Sequence, residues 1–71
     1  MKVKLKAQVI RRILARKNVS QNWLAQRIGI SSGYMSQMMA GQRHPSPRMR
    51  ERMLEVLQGY EFDELFTLRS R

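Results

Sequence analysis

The sequence of 71 residues contains no cysteine. Disulfides and thiolate zinc sites are therefore excluded, and a reducing compartment is compatible with the composition. Histidine occurs once, at His44, with no cysteine or acid near it in sequence to complete a nucleophile–base pair. No apolar run approaches the ~18 residues of a membrane span, and no signal-peptide core follows the basic start. A cytoplasmic protein without catalytic residues, metal or cofactor is expected. Its length allows one domain, residues 1–71, with a small core.

Acids are missing from the first fifty residues. All five (Glu51, Glu55, Glu61, Asp63 and Glu64) come later. Before them stand Lys2, Lys4, Lys6, Arg11, Arg12, Arg16, Lys17, Arg27, Arg43, Arg48 and Arg50, so the charge is +11 in that stretch and −2 in the remainder. Such a half is either a solvated basic surface or a face for a polyanion. The second fits the segregation better, because Lys and Arg release counterions from phosphates. Glu61, Asp63 and Glu64 lack a ligand loop for a cation and read as a solvated face at a helix start.

What is present is a succession of short amphipathic segments. Ile10, Ile13 and Leu14 form the inward stripe of a first helix over residues 7–17, with Arg11, Arg12 and Arg16 outward and Asn18 as a left-handed stop. Ser20 caps a second helix over 21–28, in which Leu24, Ala25 and Ile28 face inward, and Val19 is placed to staple onto Leu24. Gly29 stops it, and Ser31 caps a third helix over 32–40 that ends at Gly41. Ser46 caps a fourth, with Pro47 at its first position and Met49, Met53, Val56 and Leu57 inward until Gly59. Residues 62–66 fit one last helical turn. Lys2, Lys4 and Lys6 alternate with Val3 and Leu5 from Met1 onward, and 66–68 also look extended. These ends either pair as a short β-ribbon, or the first six residues fray from the first helix. The fold class is all-α: four to five short helices, with the terminal ribbon as an added element.

The third helix carries the functional signal. Met35, Met38 and Met39 point inward, which leaves Ser32, Gly33, Ser36 and Gln37 outward. Methionine stripes of this kind are core filler far more often than a metal or cofactor box. A small, polar, uncharged outward face framed by cations suits a helix that enters a DNA groove.

The order Ser20-Gln21, Leu24-Ala25, Gly29-Ile30-Ser31, Met35-Ser36, Gly41, Arg43, Pro45-Ser46 resembles the Cro/C1-type (XRE-family) helix-turn-helix domain of phage repressors and bacterial regulators. The closing FDELF at 62–66 is similar to that family's last helix, and the likeness covers residues 7–66. It implies a lambda-repressor-like bundle that binds double-stranded DNA in the major groove, usually as a homodimer, with the helix-turn-helix unit at about 20–40. By position it makes Ser32, Gly33 and Gln37 the base readers. Gln37 is the leading one, since an amide can pair bidentately with adenine. Arg11, Gln21, Tyr34, Ser36, Gln42, Arg43 and His44 fall where backbone contacts are made. Gln21 also sits at a helix N-terminus, which favours an anion. For Tyr34, packing against the turn is equally open. A contact to phosphate alone would make loss of Arg43 weaken all sequences alike.

Two departures from the resemblance stand out. Many members carry a buried Arg–Glu pair at the positions of Leu14 and Met39, both apolar here, so these two are expected to touch. Trp23 replaces a polar residue and removes a Ser-x-x-Glu capping box with Ser20. It packs on Arg27 or against the N-terminal segment, or it adds a contact to DNA or to a partner subunit. The functional reading is a transcriptional regulator, as a repressor. The alternative is an antitoxin or bridging cofactor acting through a protein partner. Membrane attachment through the first helix would need an exposed apolar stripe, and Ile10, Ile13 and Leu14 are better placed in the core. A dimer surface is expected in the acidic last third, among Leu54, Tyr60, Phe62, Leu65 and Leu68.

Overall fold

In the computed structural model, which describes residues 2–69, serine side chains start three of five helices. Ser20 accepts from the Trp23 N–H at 2.9 Å to open α2 (Gln21–Ile28), and Ser31 accepts from Tyr34 N–H at 3.1 Å to open α3 (Ser32–Met39). Ser46 accepts from Met49 N–H at 3.2 Å to open α4 (Pro47–Val56), with Pro47 in the first turn where no N–H is needed. Each cap satisfies a donor that the helix leaves free, worth about 1 kcal/mol.

The stops are equally local. Helix α1 (Ala7–Lys17) ends at Asn18 with φ 58°, and the basic Arg16 and Lys17 lie in its last turn against the negative end of the dipole. Gly29, φ 89°, ends α2, where its N–H donates to the Ala25 carbonyl at 2.9 Å. Helix α3 finishes one residue before the expected Ala40. Gly41 is left-handed, and Gln42 N–H reaches back to the Gln37 carbonyl at 2.8 Å. Helix α4 ends at Val56, ahead of the expected Gly59, because Leu57 leaves the helical region.

The chain ends do pair. Strand β1 (Lys2–Leu5) runs antiparallel to β2 (Phe66–Arg69), with Val3 opposite Leu68 and Leu5 opposite Phe66. Met1, at the start of the anticipated strand, lies outside the described residues. Lys6 ties the ribbon to α5 (Phe62–Leu65): its N–H donates to the Leu65 carbonyl at 2.8 Å and its Nζ to the Asp63 carbonyl at 2.7 Å. Lys6 therefore has an internal role as well as a charge. Glu64 accepts from the Glu61 N–H at 2.9 Å, which gives the acidic residues a capping task.

One core joins these elements. Ile10, Ile13 and Leu14 of α1 meet Leu24, Ala25 and Ile28 of α2, the three methionines of α3, Met53 and Leu57, and Leu65 and Phe66 at the C-terminal end. Leu14 and Met39 are both in it, at 4% and 6% exposure. No polar or charged residue is buried among the described residues. Met49 and Val56 lie on the margin, half-buried, since α4 sinks only Met53 fully and Leu57, just past its end, is the next buried residue. The expected dimer surface needs one correction. Leu65 is completely buried, because its short helix turns it under the ribbon toward α1, so it cannot meet a partner. Leu68 is the exposed one, at 54%.

Candidate nucleic-acid interface

Helix α3 divides into two arcs. Successive residues turn by about 100°, so positions 32, 33, 36 and 37 share an arc of about 140° opposite 35, 38 and 39. Ser32, Gly33, Ser36 and Gln37 are all exposed, and Met35, Met38 and Met39 are all buried. Burying the methionines fixes which face remains outside. The outward arc is polar and carries no charge.

Nothing stands within 4 Å of where a Cβ on Gly33 would be. Gly33→Ala is expected to raise stability by about 0.5 kcal/mol through helix propensity, or roughly 2–4 °C in a domain of this size. Thermal melting followed by circular dichroism measures it, and a lowered midpoint would contradict an unobstructed helical position.

Two side-chain contacts organise the arc. Gln21, in the first turn of α2, donates from Nε2 to Ser36 Oγ at 3.2 Å and links the two helices. Arg43, in the loop after α3, donates from Nε to Gln37 Oε1, and its guanidinium carbon lies 4.9 Å from the centre of the half-buried Tyr34 ring. The Arg43 backbone N–H also donates to the Gln37 carbonyl, at 3.3 Å. Tyr34 thus packs beneath a cation of the loop that follows α3. Gln42, Arg43 and His44 are exposed. Eight of the ten candidate residues (Gln21, Ser32, Gly33, Tyr34, Ser36, Gln37, Gln42 and Arg43) are joined by hydrogen bonds or the ring contact, or share the outward arc. Arg11 is exposed on α1, outside that chain of contacts.

Two cations near this unit were not legible as neighbours. Lys4 of β1 brings Nζ to 3.5 Å from where a Cβ on Gly41 would stand, at the C-terminal end of α3. The packing of β1 against α3 puts it there, a contact between distant segments that no local sequence signal encodes. Arg52 of α4 approaches the Ile28 carbonyl with Nη1 at 3.5 Å, beside the last turn of α2. Trp23 is half-buried with the Arg27 guanidinium carbon 5.1 Å from its ring centre, the packed arrangement anticipated for it. With Arg52, Glu55, Val56 and Gln58 these two line an open groove of about 600 Å³ between α2 and α4.

No metal-sized cluster of three or more histidines and acids occurs among the described residues. No described helix is long and apolar enough to cross a membrane. No curated protein and no solved structure matches the chain. Residues 7–64, however, match the family described as "Helix-turn-helix domain", a span that takes in α1 to α4 and the start of α5. Two capped helices about a left-handed glycine, with one arc of the second left outside, are the structural content of that match, and the chain belongs to the helix-turn-helix domain family.

Proposed function

We propose that the protein is a sequence-specific, double-stranded DNA-binding transcriptional regulator of the Cro/C1 (XRE) type, acting as a repressor in the cytoplasm at the nucleoid. The observation that carries this reading is the exposed, uncharged polar arc of α3, flanked by Arg43 and by the N-terminus of α2. In this reading α3 enters the major groove while α2 crosses the backbone. Ser32, Gly33 and Gln37 face base edges. Gln21, Tyr34, Ser36, Gln42, Arg43, His44 and Arg11 contact the sugar-phosphate backbone and set the register. The protein acts as a homodimer, with recognition helices about 34 Å apart on a near-palindromic operator, and Leu68 on the ribbon is an exposed apolar residue available to that interface.

Selection from random duplexes tests all of this together. A two-fold symmetric enriched sequence is the expected result. Gln37→Ala is expected to cost about 1–3 kcal/mol on that sequence and to relax preference at one base position per half-site. Titration of fluorescent duplexes measures both effects, and unchanged preference would remove Gln37 from the readout. The alternative is an antitoxin or bridging cofactor that works through a protein partner. It draws on the Trp23–Arg27 groove, which is open and has both apolar and charged walls. Absence of any enriched duplex would favour it.

A further inference from the structure

Arginine has only donors, so an amide that contacts its Nε must turn its oxygen toward it. In the Arg43–Gln37 contact the Gln37 Oε1 accordingly faces the loop, and its NH₂ is directed the other way. The contact is braced. The guanidinium lies over the Tyr34 ring, and the Gln37 carbonyl accepts from both the Gln42 and Arg43 N–H groups at 2.8 and 3.3 Å. These bonds fold the loop back over the last turn of α3.

Ser36 follows the same logic. Its Oγ accepts from Gln21 Nε2, which leaves the hydroxyl proton free to point outward. Two independent contacts thus use acceptor capacity on the outward arc and leave donors. Adenine offers the groove an acceptor beside a donor, and cytosine offers a donor. Guanine offers two adjacent acceptors, N7 and O6.

We infer that Arg43 is a positioning residue which holds the Gln37 amide as a donor, so that the recognition helix selects guanine at the Gln37 position in preference to adenine. The inference rests on the DNA-reading function proposed above. It replaces the bidentate adenine pair that a free glutamine would favour, and it gives Arg43 an effect on preference as well as on affinity.

Selection from random duplexes by the wild-type chain, Gln37→Ala and Arg43→Met separates these effects. The position at which Gln37→Ala flattens preference identifies the base that Gln37 faces. Wild type is expected to favour guanine over adenine there by about tenfold, the scale of a good paired contact. Arg43→Met, which keeps the aliphatic stem but has no donor, is expected to bring that ratio to about one or below while ratios at other positions hold. An adenine preference in wild type, or a guanine-to-adenine ratio unchanged in Arg43→Met, would overturn the inference and leave the DNA-reading function standing. No enriched duplex with any of the three proteins would overturn both. Arg43 and Gln37 are exposed, so both variants are expected to fold; matching circular dichroism melts check this.

Discussion

Leu14→Arg is expected to remove most of the protein's folding stability. Leu14 is 4% exposed on α1, inside the core that also holds Met39 of α3 at 6%. A guanidinium there has no buried acid to meet, since no charged or polar residue is buried among the described residues. An uncompensated buried charge costs about 3–5 kcal/mol. Domains have total stabilities of about 5–15 kcal/mol, and small ones sit at the low end. Urea unfolding followed by circular dichroism should therefore show a greatly reduced midpoint.

Adding Met39→Glu to that variant is the informative step. If the two positions oppose each other, the double variant recovers part of the loss, with a coupling of about 0.5–3 kcal/mol, because the new charges pair. Met39→Glu alone should be destabilising in its own right. A Leu14→Arg protein as stable as the parent would contradict the buried position. A double variant no better than the sum of the singles would contradict their apposition. The exchange for two apolar residues is consistent with the general finding that packed hydrophobes can replace a buried ion pair at no loss.

Local chemistry explains why so much was readable from residues alone. Ser20, Ser31 and Ser46 cap within three residues of themselves, and Asn18 and Gly29 supply left-handed stops at the helix ends they close. The methionine arc of α3 follows from helical period and needs no partner to be recognised. What depended on distant residues was less legible. The ribbon stood as one of two readings, because pairing Lys2–Leu5 with Phe66–Arg69 has no signature in either segment alone. Leu65 reads as a surface residue for the same reason. A four-residue helix is too short to show an inward stripe, and only its packing against α1 and β2 reveals that Leu65 is core.

The interface residues divide the same way. The exposed arc of α3 was evident from spacing, and the structure leaves all four of its residues outside. The coupling of Gln37 to Arg43 was not, although Gly41 is the signal that could have found it. A left-handed residue there reverses the chain and brings the loop back beside the last turn of α3. From the residues alone Arg43 has only a phosphate role. In the folded protein its Nε is engaged with a base-reading candidate and its charge rests on an aromatic ring.

Salt should act on binding as strongly as the loss of the costliest single base contact. Taking Arg11 and Arg43 from each protomer of a dimer as the phosphate-neutralising cations gives about four contacts and a slope of about −3.6 in log affinity against log salt. Between 50 and 200 mM salt that slope weakens binding by about 150-fold, roughly 3 kcal/mol. Lys4, beside the end of α3, would steepen it if it also meets phosphate. Lys6 is a weaker contributor, since its Nζ is already donated to the Asp63 carbonyl. The segregation of acids beyond residue 50 supports the estimate, because no carboxylate shares the α1–α3 segment with these cations. Arg11→Ala should flatten the slope by about two units in a dimer while leaving base preferences as they were. That contrast with Arg43→Met, which is expected to change a preference, distinguishes a pure backbone contact from one that also orients a reader. A slope shallower than about −1 for the parent would mean that the basic half does not face phosphates, whatever sequence the protein selects.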